Sequence, residues 1–355
     1  MRFFLILKKG LRAQHVAPLQ VMLILMMLLL LMVAPIHAQT DPFRIVTTTT
    51  QATDLIYILT DGVSDETIQI TGLMGAGVDP HLYKPTVSDI EAMNQADMII
   101  YSGLHLEGQF DAVFESVSER GVIIHRLSQP IIDEGYVLKF DQDGISVDDP
   151  HFWFDPRNWM LVTEALADRL AEIDPDHADI YRANAEAYIA QLDAFYVWGV
   201  EAMSQVPDEL RYIVTSHDAF RYFGDAFGWT MVGIQGISTA SEVGVGDIQD
   251  VVNFVIENNI PVIFVESSVP PATIQAVQEA VINNGGQVKV GVRELYSDAM
   301  GEPDTFGGTY IGMIAENIYT ILQSYQLAGV ELTIPAWDES VMPVPPDELF
   351  EINEE

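Results

Sequence analysis

A helix-forming stretch in the middle of the chain constrains the fold more than any other feature. The stretch 175–206 contains no proline after its first residue and only one glycine, Gly199. As a helix it would extend about 45 Å, although Gly199 weakens the prediction for its last two turns because glycine destabilises helix interiors. We expect this helix to join two lobes rigidly. The alternative is a long surface helix that packs within one lobe.

Apolar, β-branched runs alternate with amphipathic helical patterns on both sides of this stretch. The predicted strands are 44–48, 67–73, 97–101 and 121–127 in the first half, and 211–215, 229–234, 261–266 and 287–292 in the second. Such alternation is typical of parallel sheets covered by helices. The predicted fold is therefore α/β, with two lobes that contain parallel sheets and are joined by one long rigid helix.

The same pattern sets the domain boundaries. We assign 39–174 to the N-terminal lobe, 175–206 to the linking helix and 207–355 to the C-terminal lobe. The acidic, proline-rich tail from Pro335 onward is expected to be loosely ordered.

The first residues of the chain are basic and then strongly apolar. An unbroken apolar run, 21–34, ends at Pro35, and the small residue Ala38 follows. The basic residues that precede the run are Arg2, Lys8, Lys9 and Arg12. This pattern predicts a secretory signal peptide over 1–38. The run is shorter than the roughly 20 residues that span a bilayer, so an uncleaved anchor is the less favoured alternative.

Charge and cysteine usage exclude several classes of protein. The sequence has 52 acidic and 16 basic residues; four basic residues lie in the predicted signal, so 12 remain and the net charge beyond it is −40. This charge repels nucleic acid, which we do not expect as a partner. The chain has no cysteine, which excludes disulfides and thiolate metal sites. We therefore expect an exported periplasmic or extracytoplasmic protein that is not a lipoprotein.

One tripeptide occurs twice. Asp79-Pro80-His81 and Asp149-Pro150-His151 have the same sequence. In each, the proline restricts the backbone before the histidine, and the aspartate can close a turn. A backbone fixed in advance suits a metal ligand, since a metal site must be held before the ion arrives. His81 and His151 are therefore candidate ligands.

Two further candidates lie near strand ends in the second half. His217 directly follows the predicted strand 211–215, and Asp298 lies a few residues beyond the strand 287–292. Ligands of open α/β sheets gather at the carboxyl ends of strands. Two candidates from each lobe would place an ion in the cleft between the lobes. Three imidazoles and one carboxylate suit Zn²⁺ in four-coordination, and Mn²⁺ when the carboxylate is bidentate or water is added.

Seven segments of the sequence carry a further signal: 77–86 (GVDPHLYKPT), 149–156 (DPHFWFDP), 215–220 (TSHDAF), 222–224 (YFG), 236–239 (GIST), 264–268 (FVESS) and 295–301 (LYSDAMG). They resemble segments of the zinc/manganese solute-binding proteins of ABC transporters, the cluster A-I family. They follow the order of the family from about residue 45 to residue 322. The resemblance covers nearly the whole chain beyond the predicted signal.

This resemblance implies two Rossmann-like lobes joined by one long helix. It also implies one metal ion per chain, bound between the lobes by His81, His151, His217 and Asp298. It implies extracytoplasmic capture of zinc or manganese and delivery to an ABC membrane permease, by a protein that is not an enzyme and that we expect to be a monomer. His217 stands where some manganese binders have glutamate, which favours zinc. The segment 128–148 has no histidine, unlike the His-rich loop of many zinc-specific members, so manganese remains the second choice.

Other polar and aromatic residues have simpler interpretations. We expect His105 to line the cleft or face solvent, and His125 to be a core residue with its hydrogen bonds satisfied. His177 is expected to be exposed, and Trp153 and Trp159 to lie in the core. Glu266 ends a strand, so it either orients a ligand histidine or makes a structural hydrogen bond.

Two alternative functions remain open at this stage. One is a secreted zinc-dependent hydrolase with Glu266 or Glu107 as the base, although no His-Glu-x-x-His motif occurs. The other is an adhesin in which the metal only stabilises the fold.

Overall fold

The computed structural model describes residues 41–142 and 144–350, so the predicted signal segment 1–38 lies outside the described residues. The first lobe contains a four-stranded parallel sheet in the order β2-β1-β3-β4. Its strands are β1 (Phe43–Thr47), β2 (Ile68–Gly72), β3 (Met98–Tyr101) and β4 (Ile123–Arg126). Each overlaps a strand that the sequence predicts.

Helices connect and cover these strands. They are α1 (Thr50–Leu59), α2 (Val87–Gln95), α3 (Asp111–Ser118), α4 (Gln129–Asp133) and α5 (Pro156–Ile173). The start of α2 has a capping box, in which the Thr86 hydroxyl accepts from the Asp89 amide and the Asp89 carboxylate accepts from the Thr86 amide. This capping box fixes the start of α2 at Thr86.

The second lobe repeats the strand order of the first. Its strands are β7 (Tyr212–His217), β8 (Thr230–Gln235), β9 (Val262–Ile263) and β10 (Lys289–Val290). β7 pairs with β8 and β9 with β10, all parallel. The Phe264 amide donates to the Val214 carbonyl at 2.8 Å and so connects β7 to β9. The resulting order, β8-β7-β9-β10, brings the carboxyl ends of the strands to one edge, as in the first lobe.

An antiparallel hairpin precedes the second DPH tripeptide and was not predicted. It consists of β5 (Lys139–Gln142) and β6 (Ile145–Asp148). Gly144 has a φ of +82°, and its amide donates to the Asp141 carboxylate at 2.8 Å. The dipeptide Asp143-Gly144 is a hairpin signal that could have predicted this turn.

A 26-residue helix, α6 (Ala178–Met203), lies within the stretch where the sequence predicts a long helix. It contacts α1 and α5 of the first lobe and two helices of the second, α7 (Arg221–Phe227) and α10 (Tyr310–Leu327). The helix continues through Gly199. A larger residue would not fit at this position, because an added Cβ would lie 2.8 Å from the Phe227 ring. The remaining helices of the second lobe are α8 (Val245–Glu257) and α9 (Ala272–Asn283).

One apolar core runs through both lobes by way of α6. It includes Ile45 and Leu55 from the first lobe, Leu192 from α6, and Ile213 and Ile314 from the second lobe. Within it, the Trp159 and Tyr310 rings stack with centroids 4.8 Å apart. Because this core is continuous, separating the lobes would expose apolar surface to water, which is unfavourable. The lobe boundaries drawn from the sequence stay predictions.

The C-terminal tail is packed against the protein as far as residue 350, so the expectation of a loosely ordered tail is wrong. Met342 and Leu349 are buried. The Trp337 ring packs edge-on against Trp198 with centroids 4.8 Å apart, and the Trp198 indole donates to the Pro335 carbonyl at 3.2 Å. Its acidic composition suggested disorder, but scattered apolar residues anchor it. In the described part of the chain, no helix has the length and apolarity needed to cross a membrane.

We expect Trp337→Ala to lower the free energy of unfolding by about 2–3 kcal/mol, because it removes a large, partly buried aromatic side chain. Urea unfolding followed by circular dichroism measures this change. Glu339→Ala is the control, since Glu339 is exposed in the same segment and should change stability by less than about 0.5 kcal/mol. Equal stability of the Trp337 variant and the wild type would contradict the packed tail.

Candidate metal centre

Four side chains that the sequence singled out meet at one buried point between the lobes. His81, His151, His217 and Asp298 each offer one ligand atom, and these atoms all lie within 4.8 Å of one another. His81 follows β2, His151 follows the hairpin, His217 ends β7, and Asp298 lies beyond β10. His151 and His217 are fully buried, Asp298 is 1% exposed and His81 is 6% exposed. The structure thus brings together all four predicted ligands.

The spacing of these atoms matches that of a small metal ion's coordination shell. His151 Nε2 lies 3.3 Å from Asp298 Oδ1, and His217 Nε2 lies 3.3 Å from Asp298 Oδ2. His81 Nε2 lies 3.3 Å from His151 Nε2 and 3.9 Å from Asp298 Oδ2. Tetrahedral zinc with bonds of about 2.0–2.1 Å separates its ligand atoms by roughly 3.3–3.4 Å. The residues present therefore fit a divalent ion without large rearrangement.

The repeated tripeptide makes the same local turn at both positions. The Asp79 carboxylate accepts from the His81 amide at 2.8 Å, and the Asp149 carboxylate accepts from the His151 amide at 3.0 Å. In each case an aspartate side chain bonds the backbone two residues ahead, the arrangement of an Asx turn. The sequence identity of the two tripeptides thus corresponds to one way of presenting a histidine.

Carboxylates orient two of the three imidazoles. Asp149 Oδ1 lies 2.8 Å from His151 Nδ1. Glu266 Oε2 lies 2.6 Å from His217 Nδ1, and Glu266 Oε1 accepts from the His217 amide at 2.9 Å. A carboxylate at Nδ1 fixes the ring's tautomer and directs the Nε2 lone pair toward a metal. Among the described residues, no carboxylate lies against the Nδ1 of His81.

The charges of the site perturb the pKa values of its groups. Burial alone would lower the pKa of His151, but hydrogen bonds to Asp149 and Asp298 outweigh it and raise that pKa to about 9. Burial would also lower the pKa of His217, but the negative charges of Glu266 and Asp298 outweigh this effect and raise that pKa well above its ordinary value. Burial lowers the pKa of His81 to about 3. The metal-free site thus favours protons on two of the imidazoles.

The same imidazoles act on Asp298. Burial by itself would raise the pKa of this carboxyl, but the charges of His217 and His81 and the hydrogen bonds from His151 and His217 hold it well below the ordinary range. Asp298 is therefore an anion that can neutralise one of the two charges of a bound divalent cation.

Gln51 supports the site, and our reading of the sequence missed it. Its side-chain amide donates to the Asp298 carbonyl at 3.1 Å, and the side chain is buried. Gln51 lies in the first turn of α1, just beyond the carboxyl end of β1. The rule that functional residues gather at such strand ends could have identified it. Trp153 is buried, as predicted. Its indole N–H donates to the backbone carbonyl of Ser297, the residue before Asp298, at 3.3 Å.

The other predicted histidines lie outside the four-ligand cluster. His105 faces solvent with a side chain that is 88% exposed, 3.6 Å from Asp111. His177 is half-buried instead of exposed, with Nδ1 2.8 Å from Asp174 Oδ2. His125 is half-buried in β4, and the expectation of satisfied hydrogen bonds is wrong: its buried Nε2 has no partner among the described residues. Burial lowers the pKa of His125 to about 4. Trp159 is buried, as predicted.

The two glutamates proposed as bases for hydrolysis already have partners. Glu107 accepts from the Thr48 hydroxyl at 2.7 Å and from the Ser102 and Gly103 amides at 2.8 and 3.1 Å. Glu266 is occupied by His217. Both act as acceptors within the fold.

Comparison with known proteins identifies this architecture. The family model described as "ZnuA: Zinc-uptake complex component A periplasmic" matches residues 45–324. The manganese-binding lipoprotein MntA of Bacillus subtilis is 36% identical over 285 residues, which is 79% of this chain and 89% of that protein. The zinc-binding protein TroA of Treponema pallidum is 38% identical over 255 residues, which is 72% of this chain and 81% of that protein.

A solved structure of the periplasmic zinc-binding protein TroA from Treponema pallidum is similar in fold. It has a TM-score of 0.75 and 36% identity, and the match covers 80% of this chain and 99% of that chain. The prediction of a two-lobed α/β fold with parallel sheets is thus confirmed.

The comparisons contradict the prediction that the protein is not a lipoprotein. MntA of Bacillus subtilis is named as a lipoprotein, as are other relatives of this chain. An extracytoplasmic location fits these relatives, so only the statement about lipidation is withdrawn. The sequence contains no cysteine, so the residue that would carry a lipid is not identified.

The resemblance found in the sequence motifs is confirmed over the same region. The family match covers most of the chain, and two relatives exceed 35% identity over more than two thirds of it. The chain belongs to the ZnuA family of periplasmic zinc-uptake complex components.

Proposed function

We propose that this protein captures one divalent transition-metal ion outside the cytoplasm and delivers it to an ABC membrane permease. His81, His151, His217 and Asp298 would be the ligands. The observation that carries the proposal is the convergence of these four buried side chains, whose ligand atoms all lie within 4.8 Å of one another. Relatives named for zinc and manganese binding, TroA and MntA, support it.

Capture is favoured over catalysis by the way the site is enclosed. A catalytic zinc keeps one position open for water and has a base nearby. Here four protein ligands surround the point where the ion would lie, and Glu266 and Glu107 already accept hydrogen bonds. Neither the hydrolase nor the adhesin alternative gains support from the relatives.

Zinc is the metal that we favour. Three imidazoles oriented through Nε2 and one carboxylate match the ligand preferences and tetrahedral geometry of Zn²⁺. The order of intrinsic affinities also ranks Zn²⁺ above Mn²⁺ for such a site. Manganese would need a bidentate Asp298 or added water, and it is the second candidate because MntA is a manganese-binding relative.

Release to the permease would involve local movement of ligands more than wide separation of the lobes. The core shared through α6 opposes large opening. We expect the protein to act as a monomer, and its net negative charge argues against nucleic acid as a partner. Both expectations stay predictions.

Equilibrium dialysis with metal analysis tests the central proposal. We expect one zinc ion per wild-type chain, and at least a hundredfold weaker binding in His217→Ala, because the site then loses one ligand and leaves Glu266 without its partner. His105→Ala, which removes an exposed histidine, should bind like the wild type. Wild-type protein without bound zinc or manganese would refute the function, and zinc-dependent hydrolysis of model esters would refute pure capture.

Glu266→Gln should weaken zinc binding by about 10- to 100-fold, the usual effect of removing a carboxylate that orients a ligand histidine. Competition with a fluorescent zinc chelator measures the change. Glu294→Gln is the matched control because Glu294 is an exposed glutamate in the same lobe. An unchanged affinity in the Glu266 variant would mean that its contact with His217 has only a structural role.

Zinc affinity should rise with pH up to about pH 9. The pKa of His151 is raised to about 9 in the metal-free site, so its imidazole holds a proton at neutral pH that zinc must displace. Each displaced proton changes the affinity about tenfold per pH unit. Chelator competition from pH 5 to 8.5, with calorimetry in two buffers to count released protons, checks this. Constant affinity from pH 7 to pH 5 would contradict a three-histidine site.

A further inference from the structure

His81 is held differently from the other two histidines. Its Nδ1 has no carboxylate partner among the described residues, whereas His151 and His217 each have one. His81 also lines a groove of about 450 Å³ whose walls include Pro150, Ile237 and Ser238. His81 is therefore the candidate ligand through which an ion would enter and leave.

The two DPH tripeptides differ in what their aspartates do beyond the shared turn. Asp149 uses the oxygen that closes its turn to orient the ring of His151. Asp79 uses its other oxygen, Oδ2, to accept from the Thr239 hydroxyl at 2.6 Å. Thr239 belongs to the second lobe and lies 160 residues further along the chain. The turn that presents His81 is thus tied across the cleft.

The loop that carries Thr239 is itself fixed. Gln235, the last residue of β8, donates from its side-chain amide to the Thr239 carbonyl at 2.9 Å and to the Ser241 carbonyl. The Ser241 hydroxyl donates to the Ser238 carbonyl at 2.8 Å. A continuous set of hydrogen bonds therefore runs from the end of a strand in one lobe to the backbone of His81 in the other.

We infer that Thr239 is a positioning residue that retains the metal, by holding the Asp79–His81 turn closed against the second lobe. When the Thr239–Asp79 hydrogen bond breaks, the turn can move away from the cleft, and His81 can withdraw into the adjacent groove. The other three ligands lie on elements anchored by buried contacts and keep their positions. This inference rests on the proposed function and adds the place where the site opens.

The rate at which zinc leaves the protein tests this role. Thr239→Val removes the hydroxyl but keeps the β-branched shape, so the backbone preference of the loop is preserved. We expect zinc dissociation, followed by stopped flow with excess chelator, to accelerate about 10- to 100-fold, as for loss of one hydrogen bond to a charged group.

Two variants serve as matched controls. Thr239→Ser restores the hydroxyl and should release zinc at close to the wild-type rate. Glu242→Gln alters an exposed residue of the same loop without touching the Asp79 hydrogen bond, and it should also resemble the wild type. Fast release in both controls would show that the loop responds to any change, and would overturn the specific role of Thr239.

A double-mutant cycle separates this contact from general destabilisation. Asp79→Ala removes the acceptor, so adding Thr239→Val to it should not accelerate release further. Equal acceleration in the wild-type and Asp79→Ala backgrounds would overturn the inference, as would a Thr239→Val dissociation rate within twofold of the wild type. Failure of wild-type protein to bind zinc is a different result, which refutes the proposed function itself.

Discussion

The cost of burying four polar side chains between two lobes determines how this site is built. Imidazoles and carboxylates removed from water need partners, or the site is unstable. Asp149 and Glu266 supply partners for His151 and His217 from behind, at 2.8 and 2.6 Å. The inward-facing nitrogens and the Asp298 oxygens then surround one point, where a divalent cation would compensate the remaining charge. The buried carboxylates are thus part of the site together with the ligands.

Such a site requires lobes that stay in register to within a fraction of an ångström. The core that passes through α6 provides this, since apolar side chains of both lobes pack into one cluster. A protein built this way cannot release its ion by opening widely without exposing that core. Local movement is left to parts that the core does not fix, and among the four ligands His81 is the one that lines an open groove in the described part of the chain.

The repeated DPH tripeptide shows how one sequence signal acquires two roles. Both copies close the same turn around a histidine amide. One aspartate then orients its own histidine ring, while the other reaches a threonine in the opposite lobe. The difference comes from the neighbours that folding brings to each turn. A tripeptide pattern alone therefore identifies ligands but not how firmly each is held.

The sequence by itself determined the alternation of strands and helices, the long central helix and the four candidate ligands. Periodicity, strand ends and a repeated motif are local properties, so they are readable without the fold. The packing of the tail through Trp337, the support of Asp298 by Gln51 and the contact of Thr239 with Asp79 were decided by the tertiary structure. These contacts join residues far apart in the chain, and no local pattern encodes which distant side chain will complete a hydrogen bond or cover an aromatic ring.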